Sequence, residues 1–185
     1  MKTTHHILFI SLLLIFSCKS ESKPRTYKLP KENLDNTLLD EVQPVLTEDI
    51  FWDKPNDWLE KDNDSFSLAN YEIPFNDTFA NLSITKFAGD AGGIVANVNR
   101  WRRQLGLEPM ALKDIQSNAL IGSSQIGDFF IYKIESNNKN EAFLCSILPI
   151  EGSTIFVKLK ATVNIVNSLE KVFYEFCSSF RGTRL

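Results

Sequence analysis

The stretch GDFFIYKIESNNKNEAFLCSILPIEGSTIFVKLK, residues 127–160, decides the fold of this chain. Three largely apolar runs are separated by the turn-forming segments SNNKN and EGS, which is typical of antiparallel strands joined by short turns. In the last run Lys158 and Lys160 alternate with apolar residues, so we expect that strand to keep one wet face or edge. The stretch therefore predicts a meander of adjacent antiparallel strands.

The flanking sequence adds further strands and a covering helix. Strands are predicted in SFSLANYEIPF, NLSITKF and ALIGSS, with a turn at NDTFAN, residues 76–81. Between residues 163 and 180, apolar side chains recur every three or four positions, which indicates a helix lying on the sheet. These residues are Ile165, Leu169, Val172, Phe173, Phe176 and Phe180. We predict an α+β fold, an antiparallel sheet of about six strands covered by two main helices.

The second main helix lies in GDAGGIVANVNRWRRQLGL, residues 89–107. We expect it to begin near residues 91–93, with Asp90 as the N-cap that accepts a bond from a free backbone amide. It should end at Leu105, where Gly106 supplies a left-handed residue and Leu107 packs back over the helix end. A weaker helical turn is expected near residues 112–116.

This helix also carries the candidate binding surface. Its polar and aromatic members are Asp90, Asn97, Asn99, Arg100, Trp101, Arg103 and Gln104. Two structural alternatives stay open: a solvated helix face, or Asn and Arg side chains bonded to neighbouring loop backbone. An anion at GDAGG is disfavoured, because Asp90 places a negative charge there and the segment lacks the Lys-Ser/Thr ending of a P-loop.

The same segment resembles a motif of uncharacterised exported proteins and lipoproteins of bacteria, GD[AV]GGxxANVNRWRxQLGL. The matching positions are Gly89, Asp90, Gly92, Gly93, Asn97, Asn99, Arg100, Trp101, Arg102, Gln104 and Gly106. The similarity extends thinly over residues 50–181, and the predicted arrangement is also similar to PsbP-like α/β sandwiches. Neither resemblance implies an activity, because one fold hosts many functions.

The N-terminus has the layout of an export signal. A basic Lys2 precedes the apolar run ILFISLLLIF, and a polar segment follows Cys18. The run is too short to span a bilayer, because a membrane-spanning helix needs about 20 apolar residues. The sequence IFSC resembles the lipobox of bacterial lipoproteins, which implies cleavage before Cys18 and lipidation of its thiol. We therefore expect a signal peptide at 1–17, a lipidated cysteine and flexible tether at 18–49, and a single α+β domain at 50–185.

Residue counts restrict the chemistry that the mature chain can perform. Both histidines, His5 and His6, precede the predicted cleavage site, which excludes Ser-His-Asp and Cys-His nucleophile systems and His-ligated metal sites. No cofactor or metal site is expected, and a net charge of −3 gives no sign of a nucleic-acid partner. Cys145 and Cys177 could form a disulfide or remain two small buried thiols.

Three further groups of residues could support a chemical or binding function. Asp53, Asp57, Asp62 and Asp64 are close in sequence and could flank a sugar or a cation, although a solvated turn explains them as well. Trp52, Trp58 and Trp101 could form an aromatic platform, or serve as hydrophobic anchors. The segment Ser83-Ile-Thr-Lys86 has the S-x-x-K spacing of some serine hydrolases, but on a strand the two side chains point to opposite faces.

These observations favour a non-catalytic binding or assembly module of the bacterial cell envelope. It would be attached through its N-terminal lipid, in the outer membrane because Lys19 is not the Asp that retains many lipoproteins in the inner membrane. An envelope protein contacting the RWRR helix is one candidate partner. The alternative function is a carboxylate-dependent hydrolase acting on an envelope polymer, which requires two acids in one pocket.

Overall fold

The structure, a computed structural model, describes residues 49–63 and 65–183. The predicted signal peptide at 1–17, Cys18, the tether as far as residue 48, and Asp64 lie outside the described residues. The described residues belong to one compact unit. None of the helices in this part of the chain has the length and hydropathy of a membrane-spanning segment.

The described chain contains a seven-stranded antiparallel sheet and a separate two-stranded one. The larger sheet has the strand order β2-β3-β4-β8-β7-β6-β5, and the smaller one pairs β1 with β9. The strands are β1 Ile50–Phe51, β2 Leu59–Lys61, β3 Ser67–Phe75, β4 Thr78–Ala88, β5 Leu120–Ser124, β6 Gly127–Ser136, β7 Glu141–Ile150, β8 Ser153–Ala161 and β9 Arg181–Gly182.

The quoted stretch forms β6, β7 and β8, the meander that the sequence predicts. Gly152, with φ 67°, lies in the two-residue turn between β7 and β8, in a left-handed conformation that glycine adopts without the steric cost of a Cβ atom. The return pairing of β8 with β4 places β8 in the middle of the sheet. The solvent-exposed face of β8 therefore lies in the middle of the sheet and not at its edge.

Three helices pack on the larger sheet in the described part of the chain: α1 Gly93–Gln104, α2 Leu112–Ser117 and α3 Val163–Ser178. The apolar stripe of α3 is buried against one face of the sheet, as predicted. Helices α1 and α2 lie on the opposite face, where their buried side chains contact β6, β7 and β8 in a second core. No residue of β2, β3 or β4 belongs to that second core.

The predicted α+β class is confirmed, and the larger sheet has seven strands where about six were expected. The sequence patterns missed β1, β2 and β9, which have two or three residues each and cannot show an alternating pattern. The turn predicted over residues 76–81 is also wrong in length. Phe75 pairs directly with Thr78, so only Asn76 and Asp77 form the turn, with Asn76 at φ 49°.

Candidate functional site

The GDAGG loop enters α1 through consecutive left-handed residues. Ala91, Gly92 and Gly93 have φ values of 49°, 88° and 77°. The predicted N-cap role of Asp90 is wrong: Gly92 is the N-cap residue and no side chain caps the helix. Asp90 Oδ1 instead accepts a hydrogen bond of 3.1 Å from the Gly92 amide, because the left-handed residues separate it from the first helical turn.

The two asparagines of the motif hold loops in place. Asn97 is 2 % exposed, and its Nδ2 donates to the carbonyl oxygens of Ala91 at 3.0 Å and Gly93 at 2.7 Å. Asn99 forms a two-way pair with the backbone of Met110, donating at 3.0 Å and accepting at 2.7 Å. The structure thus supports the interpretation of these side chains as bonded to neighbouring loop backbone.

The helix ends as predicted. Gly106 has φ 75°, and the amides of Gly106 and Leu107 donate to the carbonyls of Arg103 and Arg102, the pattern of a Schellman cap. Arg102 Nε also donates to the Glu108 carbonyl at 2.7 Å. These contacts fix the direction of the chain after α1.

The tryptophans are structural anchors and form no open platform. Trp58 and Trp101 are 2 % and 3 % exposed, and Trp101 meets Phe156 edge-on at a centroid distance of 6.0 Å. Trp52 stacks on Phe180 at 5.4 Å, and its Nε1 donates to the Tyr71 hydroxyl at 2.9 Å. Each indole is therefore packed against other side chains of the protein, which is the commoner role of a large aromatic side chain.

Three members of the candidate surface remain exposed on α1: Arg100, Arg103 and Gln104. Arg100 lines a cavity of about 240 Å³ together with Phe87, Asn97 and other residues at the GDAGG loop. One turn later, Gln104 Oε1 accepts a hydrogen bond from Lys158 Nζ. This flank of α1 therefore faces the sheet at β8.

Beside this flank, half of one sheet face is left uncovered. On the strands not covered by α1 and α2, polar side chains alternate with buried ones and line a depression of about 390 Å³. We call it the Lys158 groove. Its polar lining includes Lys61, Asp62, Asn70, Asn81, Ser83, Lys158 and Lys160.

The register shows how the groove is built. Lys61 pairs with Asn70, Asn70 with Ser83, and Ser83 with Lys158, so these four side chains form one row across β2, β3, β4 and β8. A second row contains Asn81 opposite Lys160. Residues far apart in sequence thus meet because antiparallel partners point to the same face.

Lys158 lies where the covered and uncovered halves of this face meet. Its Nζ is 3.9 Å from the centroid of the Phe143 ring. Burial lowers the pKa of the Lys158 amine, and the neighbouring positive charges of Lys160 and Arg100 lower it further. The amine is turned toward Phe143 and Gln104, and no hydrogen bond joins it to Ser83.

The described acidic residues near the start of the domain, which are Asp53, Asp57 and Asp62, do not gather in one pocket. Asp53 pairs with Arg181 at 2.8 Å, Asp57 is exposed, and Asp62 is the acidic residue that lines the Lys158 groove. Asp90 is exposed on its own loop. Within residues 49–63 and 65–183, no cluster of three or more His, Cys, Asp or Glu side chains is placed to hold a metal ion.

Cys145 and Cys177 are both free and buried. Cys145 belongs to the core under α1 and Cys177 to the core under α3, so the sheet lies between their side chains. This arrangement does not suit a disulfide, whose sulfur atoms must be bonded to each other. Burial raises the pKa of both thiols, that of Cys177 to about 12.

The Lys158 groove was not among the sites predicted from the sequence. Lys158 and Lys160 gave a signal, as charged residues alternating with apolar ones in a strand. The S-x-x-K spacing relates Ser83 to Lys86, whereas the cross-strand partner of Ser83 is Lys158. The strand order that brings β8 beside β4 could not be derived from local patterns.

No protein-family model matches this chain, and no curated protein is significantly similar to it. Solved structures of similar fold have low identity. Cyanobacterial PsbP from Synechocystis sp. PCC 6803 is 15 % identical with a TM-score of 0.47, over 73 % of this chain and 92 % of that one. LpqN of Mycobacterium tuberculosis, a protein involved in cell envelope biogenesis, is 14 % identical with a TM-score of 0.38, over 73 % of this chain and 83 % of that one.

A protein from Bacteroides thetaiotaomicron VPI-5482 is 14 % identical with a TM-score of 0.45, over 73 % of this chain. This chain spans only 45 % of the length of that protein. At such identities, none of these similarities transfers a function. The PsbP-like resemblance and the family defined by the GDAGG motif both stay predictions.

Proposed function

We propose that this protein is a non-catalytic binding module of the bacterial cell envelope, attached to the outer membrane through a lipid on Cys18. The observation that carries the binding function is the Lys158 groove. Its volume of about 390 Å³ lies within the range of small-molecule sites, roughly 300–1,000 Å³. Its side chains come from four strands of a rigid sheet, which is a suitable support for a recognition site.

The groove's composition argues for binding rather than catalysis. A hydrolase of the two-carboxylate type needs two acids facing its substrate, whereas Asp62 is the acidic residue in the groove lining. A serine nucleophile activated by lysine needs a hydrogen bond between the two groups, and Lys158 is turned away from Ser83. What the groove does offer is three lysines together with amide and hydroxyl groups, and Lys158 is the one of the three without a carboxylate partner among the described residues.

The test uses the full chain and purified envelope polysaccharide. We expect the protein to sediment with the polymer, and the recovered polymer to keep its length. Asn81→Trp, which fills the groove with a large side chain, should abolish the binding, whereas Asn164→Trp on the exposed side of α3 should not.

Release of soluble fragments that Asp62→Asn abolishes would contradict the proposal and support the hydrolase. The anchor is tested separately with an alkyne-labelled fatty acid in the producing bacterium. Label is expected on the wild-type chain and absent from Cys18→Ser. An unlabelled wild-type chain would remove the lipid anchor from the proposal.

A further inference from the structure

The charges around the Lys158 groove are unequally balanced. Lys61 pairs with Glu72 at 3.4 Å and Lys160 with Glu141 at 3.2 Å. Lys158 has no carboxylate partner in the described part of the chain: its amine contacts the Gln104 side-chain oxygen and the Phe143 ring. A half-buried cation without a counter-charge is costly, and it is stabilised by any anion that reaches it.

Arg100 adds to the positive potential at the same place. It lies on the α1 flank that faces β8, and it is exposed and forms no ion pair with the described residues. Its charge is close enough to Lys158 to affect the amine's pKa. Two cations that no described acidic residue neutralises therefore lie at the helix side of the groove: Lys158 in its lining, and Arg100 beside it in the lining of the neighbouring cavity.

On the sheet side, the groove lining contains the ion-paired Lys61 and Lys160, the carboxylate of Asp62, and uncharged polar side chains between them. Ser83 lies directly opposite Lys158 in the register, and Asn81 lies opposite Lys160. Neither side chain has a hydrogen-bond partner among the described residues, so an amide and a hydroxyl are both available as donors and acceptors. Such groups suit the hydroxyls of a sugar, which also donate and accept.

We infer that the Lys158 groove binds an acidic sugar, with Lys158 contacting the carboxylate or phosphate and with Ser83 and Asn81 contacting neighbouring hydroxyls. This inference rests on the proposed binding function and specifies its ligand class. The depression is larger than a single anionic group, so the sugar ring also fits within the lining. Arg100 contributes longer-range attraction from the side of α1.

The experiment titrates the ¹⁵N-labelled full chain with D-glucuronate, D-glucose 6-phosphate and neutral D-glucose, followed by amide chemical shifts. We expect saturable shifts at the amides of β4 and β8 with at least one acid. Binding of D-glucose should be weaker by roughly tenfold or more, which corresponds to the loss of one charge-assisted hydrogen bond. The comparison of the two acids shows whether a carboxylate or a phosphate is preferred.

Variants assign the effect to one side chain. Lys158→Met keeps an apolar stem over Phe143 and should weaken acid binding by the same factor, whereas Lys158→Arg should retain most of it. Lys171→Met is the matched control, because Lys171 lies exposed on α3, on the opposite face of the sheet, and should bind as the wild type does. Circular dichroism and thermal melting establish that each variant is folded.

The inference is overturned if the acids bind no more tightly than D-glucose, or if Lys158→Met binds them as the wild type does. In either case, envelope polysaccharide that still sediments with the wild-type chain and not with Asn81→Trp would leave the proposed function intact. Absence of binding in both assays would overturn the inference and the proposed function together.

Discussion

At the scale of single residues, the conspicuous motif turns out to be architectural. Asn97 looks like a ligand-binding side chain in the sequence, yet it is buried and bonded to two carbonyl oxygens of the loop before its own helix. Loops with several left-handed residues expose carbonyl groups that need donors, and a buried amide supplies them. The residue types were readable from the sequence, but their burial was not.

Asn97→Ala should destabilise the fold by about 1–3 kcal/mol, because two part-buried carbonyl oxygens lose the donor that the buried Asn97 side chain supplies. Urea denaturation followed by fluorescence measures the change. Asn164→Ala, at an exposed position of α3, should change stability by less than about 0.5 kcal/mol. Equal effects of the two substitutions would contradict the assigned role of Asn97.

Gly122 is constrained by packing. A Cβ atom there would overlap the ring of Phe129 and lie 2.9 Å from Cε2 of Tyr174. Gly122→Ala should therefore cost about 1–3 kcal/mol, the range for overpacked cores. Gly122→Ala should cost less stability in a Phe129→Leu background than in the wild-type chain, because leucine leaves more room for the added methyl. A double-mutant cycle measured by urea denaturation gives this coupling. Strict additivity would argue against the overlap.

At the scale of elements, the sequence predicted the long and periodic ones. The apolar stripe of α3, the strands β6, β7 and β8, and the Gly106 end of α1 all follow from local patterns. The start of α1 at Gly93 also lies within the predicted residues 91–93, but the N-cap role of Asp90 was wrong, because three left-handed residues separate Asp90 from the first helical turn. Capping rules assume that the chain enters the helix in extended conformation, and this one does not.

Gly106→Ala should destabilise the end of α1 by about 1 kcal/mol, since φ 75° is unfavourable for a residue with a Cβ. The nearest atom to that Cβ is the flexible tip of Lys139 at 3.1 Å, so sterics add little. Gly106→Asn should lose less stability, because asparagine tolerates the left-handed region. Chemical denaturation of the three proteins tests the order, and an Asn variant no better than Ala would contradict it.

At the scale of the whole molecule, α3 packs on one face of the sheet, and α1 and α2 cover only part of the other face. Lys158 and Lys160 indicate the partly uncovered face in the sequence, because a central strand packed on both faces would not contain two alternating lysines. Their neighbours in the groove could not be named, because the strand order is set by packing of distant segments. The class of fold was therefore predictable, and the groove was not.

Stability should decrease in mildly alkaline solution. An exposed thiol ionises with a pKa of about 8.5, whereas burial raises the pKa of Cys177 to about 12 and that of Cys145 in the same direction. Above pH 8.5 the unfolded chain releases protons that the folded chain keeps, so the free energy of unfolding falls as pH rises. We expect a loss of about 1 kcal/mol per thiol between pH 8 and 9.5.

Urea denaturation at several pH values measures this slope. In the double variant Cys145→Ala, Cys177→Ala the slope between pH 8 and 9.5 should flatten, even though the variant is less stable at neutral pH because it has lost buried side-chain atoms. A slope that both proteins share would show that other groups cause it.

One cysteine thiol lies in each of the two hydrophobic cores, Cys145 in the core under α1 and Cys177 in the core under α3. The rate at which a small reagent alkylates each thiol of the native chain, measured by peptide mass spectrometry, would report how often each of the two layers opens. No engineered label is needed. Earlier labelling at Cys145 would identify the layer bordering the groove as the more dynamic, and earlier labelling at Cys177 would identify the layer under α3.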